Sequence, residues 1–158
     1  MKAVSIKELR EELANRTPKE IRDLCLRLAR FKKENKELLT YILFESSNEV
    51  SYVNSVKRVI DKQFEGINKK SNYLIRRSVR KILLNIRKYA RYSQKKQTEV
   101  DLLIYFCAKL KNMTPSIQKN TRLRNLYNGQ IETIRKKVSF LHEDLQYDYG
   151  VELNALNS

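Results

Sequence analysis

The chain has 158 residues, the usual size of one domain, which leaves little room for a second. Apolar residues make up 41% of it and include nine Tyr and five Phe, enough for a hydrophobic core. Three Gly and two Pro are too few for an all-β sandwich or a glycine-rich phosphate loop. The 33 Lys and Arg residues outnumber 18 Asp and Glu residues, so the formal net charge is +15. We expect one all-α domain over residues 1–158 with a basic surface.

Two helix-start motifs lie near the amino terminus. Ser5 and Glu8 have the spacing of a capping box, in which both side chains bond free backbone N–H groups, and they predict a short first helix. Thr17-Pro18-Lys19-Glu20 has the same spacing, and its proline suits the first helical position of a second helix. Apolar residues 38–44 predict a third, heavily buried helix. We expect an antiparallel helical hairpin over residues 17–45.

Three further helices are predicted in the middle of the chain. Residues 46–49 supply cap residues and an acidic first turn for a fourth helix. Residues 73–93 have the clearest helical spacing of apolar side chains and form a fifth. Thr98 is the predicted cap of a sixth helix, which is apolar nearly all round. We expect the sixth helix at the centre of a bundle.

A long amphipathic helix is predicted over residues 115–147. Thr114-Pro115 repeats the earlier start signal, and Gly150 is the expected stop. We expect a bend at Asn128-Gly129, because Gly costs a helix about 1 kcal/mol relative to Ala. The apolar seam covers only about three heptads, so the sequence favours a monomer and leaves a dimer open.

The predicted fold is therefore all-α with about seven helices. Short connections fit either a compact helical bundle or a short right-handed α-α superhelix of stacked helical hairpins. The hairpin over residues 17–45 resembles one unit of the HEAT or armadillo repeats. No second copy of similar length follows it, and the sequence indicates no family.

The positive charge lies mostly in the middle third of the chain. Residues 51–100 contain 14 basic and 3 acidic residues, whereas the segments before and after them each carry a net charge of only +2. Eleven basic residues and no acidic residue lie between Glu65 and Glu99. We predict that these eleven bind nucleic acid: Lys69, Lys70, Arg76, Arg77, Arg80, Lys81, Arg87, Lys88, Arg91, Lys95 and Lys96.

Four arginines form a stripe on the predicted fifth helix. At about 100° per residue, Arg76, Arg80, Arg87 and Arg91 lie on one side, opposite the apolar residues, and must point outward. The stripe is about 22 Å long, which is enough to follow several backbone phosphates. Guanidinium groups pair with phosphate oxygens. The residues at the ends of the stripe can add hydrogen bonds or stack on unpaired bases: Asn72, Tyr73, Tyr92, Ser93 and Gln94.

The favoured function is a non-enzymatic basic binding module for DNA, RNA or a ribonucleoprotein surface. The alternative is a helical scaffold or adaptor that binds an acidic or helical protein partner in the groove between its hairpins. A basic face that is only solvated is a third interpretation. A membrane partner is not expected, because the helix face opposite the charge is needed for the core.

The residues that usually carry catalysis or bind metals do not form a recognisable pattern. His142 is the only histidine, and no zinc-ligand spacing, phosphate-binding loop or nucleophile motif is present. We therefore predict no catalytic, cofactor-binding or metal site. Cys25 and Cys107 lie among apolar residues and are expected to be buried, reduced thiols. With no secretory signal and no apolar run long enough to span a bilayer, a cytoplasmic location is expected.

Overall fold

The protein is all-helical, as the sequence predicts. The computed structural model describes residues 1–157, and these contain eight α-helices and no strand. The helices are α1 (Ile6–Ala14), α2 (Pro18–Phe31), α3 (Lys33–Thr40), α4 (Glu49–Glu65), α5 (Asn72–Ser93), α6 (Lys96–Lys111), α7 (Thr121–Val138) and α8 (Glu143–Asn157). Contacts divide the chain into unit 1 (Met1–Phe44) and unit 2 (Glu45–Ser158). The single domain expected over residues 1–158 stays a prediction.

Capping boxes begin the first two helices of unit 1, as predicted. The Glu8 carboxylate accepts from the Ser5 backbone N–H at 2.8 Å, and Ser5 Oγ accepts from the Glu8 N–H at 3.2 Å. Thr17 and Glu20 repeat the same two bonds at 2.8 and 3.2 Å. The backbone N–H bonds from Ser5 and Thr17 hold the pKa of Glu8 and Glu20 below their ordinary values. Both helix starts are therefore fixed by local interactions.

The third helix differs from its prediction in position and in burial. Helix α3 packs against α2 and ends at Thr40, and a π-helical turn, Tyr41–Glu45, follows it. Tyr41 is buried, but Ile42, Leu43 and Phe44 are 53–74% exposed. The side chains of four successive helical residues point in directions spread around the helix axis. A neighbour on one side therefore covers only one of the four, which here is Tyr41. The prediction of a heavily buried third helix is wrong.

Helix α6 lies at the centre of unit 2, as its apolar sequence predicts. It contacts α4, α5, α7 and α8. Six of its side chains are at most 1% exposed: Val100, Leu102, Leu103, Phe106, Cys107 and Leu110. Thr98 is not its cap, because the helix already begins at Lys96. Thr98 instead donates to the Glu49 carboxylate at 2.6 Å.

The prediction of one long helix over residues 115–147 is wrong, because three separate elements begin in this segment. A 3₁₀ turn, Ile117–Lys119, precedes α7, and a break after Val138 separates α7 from α8. The Asn120 side chain caps α7 by accepting from the Leu123 N–H at 3.2 Å. At the break, the Gln146 amide donates to the Leu141 carbonyl at 2.8 Å. The extra helix raises the number from seven to eight.

The two glycines in the last two helices do not end them. Gly150 lies inside α8, so the predicted stop there is wrong, whereas Gly129 lies inside α7 and the bend at Asn128-Gly129 stays a prediction. The intrinsic cost of glycine, about 1 kcal/mol, is offset by burial of neighbouring apolar residues such as Ile131 and Tyr149. Tyr149 also donates to the Asp101 carboxylate at 2.6 Å, which holds α8 against α6.

Replacing Gly129 with alanine should stabilise the protein. Within residues 1–157 no side chain or distant backbone atom lies within 4 Å of the Cβ that Gly129→Ala adds. We expect a gain of about 0.5–1 kcal/mol and a midpoint a few degrees higher in thermal unfolding followed by circular dichroism. Gly66→Ala is the control, because Gly66 is the residue that ends α4 and should give no comparable gain. A lower midpoint for Gly129→Ala would contradict the helical assignment.

Candidate nucleic-acid interface

Helix α5 carries most of the predicted binding residues. The Ser71 hydroxyl caps its start by accepting from the Leu74 N–H at 3.3 Å. Its apolar side is almost fully buried, with exposed fractions between 0 and 6% for Ile75, Val79, Ile82, Leu83 and Ile86. Seven basic and no acidic residues occupy the rest of the helix. Because the apolar side is buried in the core, the basic side faces outward.

The first half of α5 and the first turn of α7 line an open groove, which we call the basic groove. Its volume is about 440 Å³. The lining residues are Tyr73, Arg76, Arg77, Arg80, Lys81, Leu84 and Arg122. Five of the seven are cations, and no carboxylate of residues 1–157 lines the groove. Four of the eleven cations predicted to bind nucleic acid therefore lie together in the basic groove.

The cations of the basic groove have no neutralising partner among residues 1–157. In the described part of the chain, Arg76, Arg77, Arg80, Lys81 and Arg122 form no ion pair. Several carboxylates elsewhere in unit 2 pair with other cations, as Asp61 does with Lys109 at 2.6 Å. A groove with charge of one sign concentrates its field and attracts anions.

The second half of the predicted stripe has different surroundings. Arg87 donates to the Gln130 amide oxygen of α7 at 3.4 Å, and Gln130 is buried. The Lys88 ammonium lies 4.8 Å from the centre of the Tyr89 ring. Arg91 lines a separate open hollow where α5 meets α6, together with Ala90, Gln94, Lys95, Lys96 and the carboxylate residue Glu99. The stripe is exposed at Arg87 and Arg91, but it does not line the basic groove there.

The remaining predicted cations lie outside the basic groove. Lys69 and Lys70 are exposed in the connection before α5. Lys96 is exposed, and its ammonium lies 5.3 Å from the centre of the Phe140 ring. Lys95 forms an ion pair with Glu49 at 3.0 Å, so a carboxylate of the protein itself neutralises its positive charge. These four residues stay predictions as nucleic-acid contacts.

Arg122 is the groove residue that the sequence analysis missed. The sequence placed it in the interior of a helix that started near residue 115, and gave no indication of its neighbours. The cap at Asn120 instead puts Arg122 in the first turn of α7, where it lines the groove with the arginines of α5. The basic pair Arg122 and Arg124 was the only available signal.

A second group of polar residues joins α4, α6 and α8. Tyr105 and Lys109 both donate to Asp61, at 2.8 and 2.6 Å. Burial raises the pKa of Asp101, although the bond from Tyr149 and the charge of Lys57 lower it in part. Among residues 1–157, no cluster of three or more His, Cys, Asp or Glu side chains has an arrangement suited to a metal ion.

The two cysteines have different surroundings. Cys107 is fully buried in α6, and burial raises the pKa of its thiol to about 12. Cys25 is exposed, so the prediction that both thiols are buried is wrong for this residue. Cys25 lies on α2 and lines an open groove between α2 and α3. Both are free thiols in the described structure.

Unit 1 has an open apolar groove between α2 and α3. Its volume is about 230 Å³. It is lined by Cys25, Leu28, Ala29, Asn35, Leu38, Leu39 and Ile42. All but Asn35 are apolar or weakly polar, so this hairpin groove differs in chemistry from the basic groove.

Comparisons with known proteins give no further information about the function. No protein-family model, curated protein or solved structure matches the chain. No helix in residues 1–157 combines the length and the hydropathy that crossing a bilayer requires.

Lys95 should contribute less to stability than its ion-pair partner Glu49. The Glu49 carboxylate accepts from Lys95, Ser93 and Thr98, and the two hydroxyl residues are buried. Glu49→Ala leaves both hydroxyls without this acceptor and should lower the free energy of unfolding by about 1–3 kcal/mol in urea. Lys95→Gln removes only a half-exposed ion pair and should cost less than about 1 kcal/mol. Equal losses for the two variants would contradict this network.

Proposed function

We propose that the protein is a non-enzymatic module that binds DNA or RNA through the basic groove. The observation that supports this function best is the convergence of five cations from α5 and α7 on one groove, where no described residue forms an ion pair with them and no described carboxylate lines the groove. Four of these cations are arginines, whose planar guanidinium groups can donate two hydrogen bonds to one phosphate. A protein that only needs solvated charge has no reason to bring cations from two helices together.

The exposed cations beyond the groove extend the proposed surface along α5. Arg87 and Arg91 continue the side on which Arg76 and Arg80 lie, over a length of about 22 Å. A strand bound in the groove can therefore keep contact with further cations as it leaves. Such contacts are electrostatic and carry little sequence information, so we propose binding with weak sequence preference.

We also propose that the protein acts in the cytoplasm as a monomer. Both cysteines are free, and Cys107 is held as a protonated thiol in the core, as suits a reducing compartment. The proposal includes no cofactor and no membrane surface.

Arg122→Gln should weaken nucleic-acid binding, whereas Arg124→Gln should not. Both changes remove one positive charge from an exposed arginine in the same helix turn, but only Arg122 lines the basic groove. Fluorescence anisotropy with labelled oligonucleotides, from about 50 to 200 mM salt, measures both affinity and its salt dependence. The slope of log K against log salt should flatten by about 0.7–0.9 for Arg122→Gln. Equal effects of the two changes would assign the binding to net charge alone and contradict the proposed site.

The groove of unit 1 favours a second function, that of a scaffold for a helical protein partner. Residues 1–44 contain 11 basic and 7 acidic residues, a net charge of +4. Several large apolar side chains there are exposed, including Phe31 at 84% and Ile6 at 72%. An amphipathic helix with acidic residues beside its apolar face matches both properties. We propose this occupant for the groove between α2 and α3.

Leu38→Ala should weaken binding of such a helix. The probe is a labelled amphipathic peptide with glutamates on its polar face, and a second peptide carries lysines instead. We expect the acidic peptide to bind more tightly, and Leu38→Ala to lower its affinity about tenfold in anisotropy titrations. Leu43→Ala is the matched control, because Leu43 is exposed but does not line the groove. If neither peptide binds, or both variants behave alike, the scaffold proposal is wrong.

A further inference from the structure

We infer that the basic groove accepts a single strand, whose unpaired base stacks on Tyr73 while its phosphates contact Arg76, Arg80 and Arg122. The inference rests on the proposed nucleic-acid function and names the form of nucleic acid that the groove takes. Single-stranded DNA and RNA share the required chemistry, a flexible phosphodiester chain with bases free to leave the stack.

Tyr73 presents an aromatic ring to solvent at the start of the basic groove. It is 61% exposed in the first turn of α5, whereas the core side of this helix consists of aliphatic residues. In the part of the chain that the structure describes, the Tyr73 side chain forms no hydrogen bond and no ring–ring or cation–π contact. An uncovered aromatic ring among arginines is the arrangement on which single-strand binding proteins stack bases.

Leu84 provides a second apolar surface in the same groove. It is 64% exposed and lies 11 residues after Tyr73, or about 16 Å further along the helix. An exposed leucine among cations gives no solvation benefit, because neither water nor phosphate interacts favourably with it. Sugars and base faces of a nucleic acid can cover such a side chain. Along α5 the groove thus has its cations between two apolar side chains, so a bound strand can place phosphates on the cations and bases or sugars on the apolar residues.

A duplex makes fewer favourable contacts with the side chains of the basic groove than a single strand does. In a duplex the bases are stacked inside, and the outer surface presents mainly phosphates and sugars. Its phosphates would contact Arg76 and Arg80, but Tyr73 and Leu84 would then face charged groups without a base to cover them. A flexible single strand can turn its phosphates toward Arg122 on one side and place a base over Tyr73.

The test compares single strands with duplexes of the same sequence, as DNA and as RNA, by fluorescence anisotropy at about 150 mM salt. Tyr73→Ala should weaken single-strand binding about tenfold and leave duplex binding unchanged, whereas Tyr73→Phe should retain the single-strand affinity. The salt slope should stay the same in Tyr73→Ala, because no phosphate contact is lost. Tyr147→Ala is the matched control, since Tyr147 is 75% exposed on α8 and does not line the basic groove.

Failure of this inference is distinguishable from failure of the proposed function. If duplexes bind as tightly as single strands and Tyr73→Ala has no effect, the strand inference is overturned while Arg122→Gln still reports nucleic-acid binding. If no oligonucleotide binds, the proposed function itself fails. A Tyr73-dependent preference for single strands with either sugar supports the inference. Circular dichroism of Tyr73→Ala establishes that the variant is folded.

Discussion

The burial of α6 is the constraint on which the rest of unit 2 depends. A helix that is apolar nearly all round must be covered on every side, and α4, α5, α7 and α8 each contact it. Each surrounding helix therefore turns its apolar side inward and its charged side outward. For α5, whose charged residues are all basic, this leaves a face of seven cations. The position of the basic groove follows from the burial of the core rather than from any contact among the cations.

Features governed by short-range interactions were predictable from the sequence. The two capping boxes span four residues each, and the apolar spacing of α5 repeats within the helix itself. The break between α7 and α8 could not be predicted in this way, because the apolar residues Val138, Leu141 and Leu145 keep a helical spacing across it. At the turn Gln146 bonds the Leu141 carbonyl, and α8 packs on both α6 and α7. The spacing of apolar residues indicates which side chains will be buried, but it does not indicate where the helix axis changes direction.

The candidate site likewise has features that follow from short-range sequence patterns and features that depend on tertiary packing. Arg76, Arg77, Arg80 and Lys81 belong to one helix, so their common exposure could be predicted from spacing alone. Arg122 is about 40 positions further along and enters the groove through packing in the fold. Lys95 belongs to the same run of charge, yet it pairs with Glu49, 46 positions earlier. Sequence reasoning identifies a basic helix, whereas the tertiary structure determines which cations have partners.

The distribution of ion pairs within unit 2 gives the basic groove its physical significance. Unit 2 contains 22 basic and 11 acidic residues, and several carboxylates pair with cations elsewhere: Asp61 with Lys109, Glu99 with Lys137, and Glu49 with Lys95. The five groove cations are thus left to repel one another. In the proposed function, an anionic strand neutralises these cations and removes their repulsion as it binds, and a ligand that binds only the folded state stabilises it. We therefore expect binding in the groove to be coupled to the stability of unit 2 through the same charges.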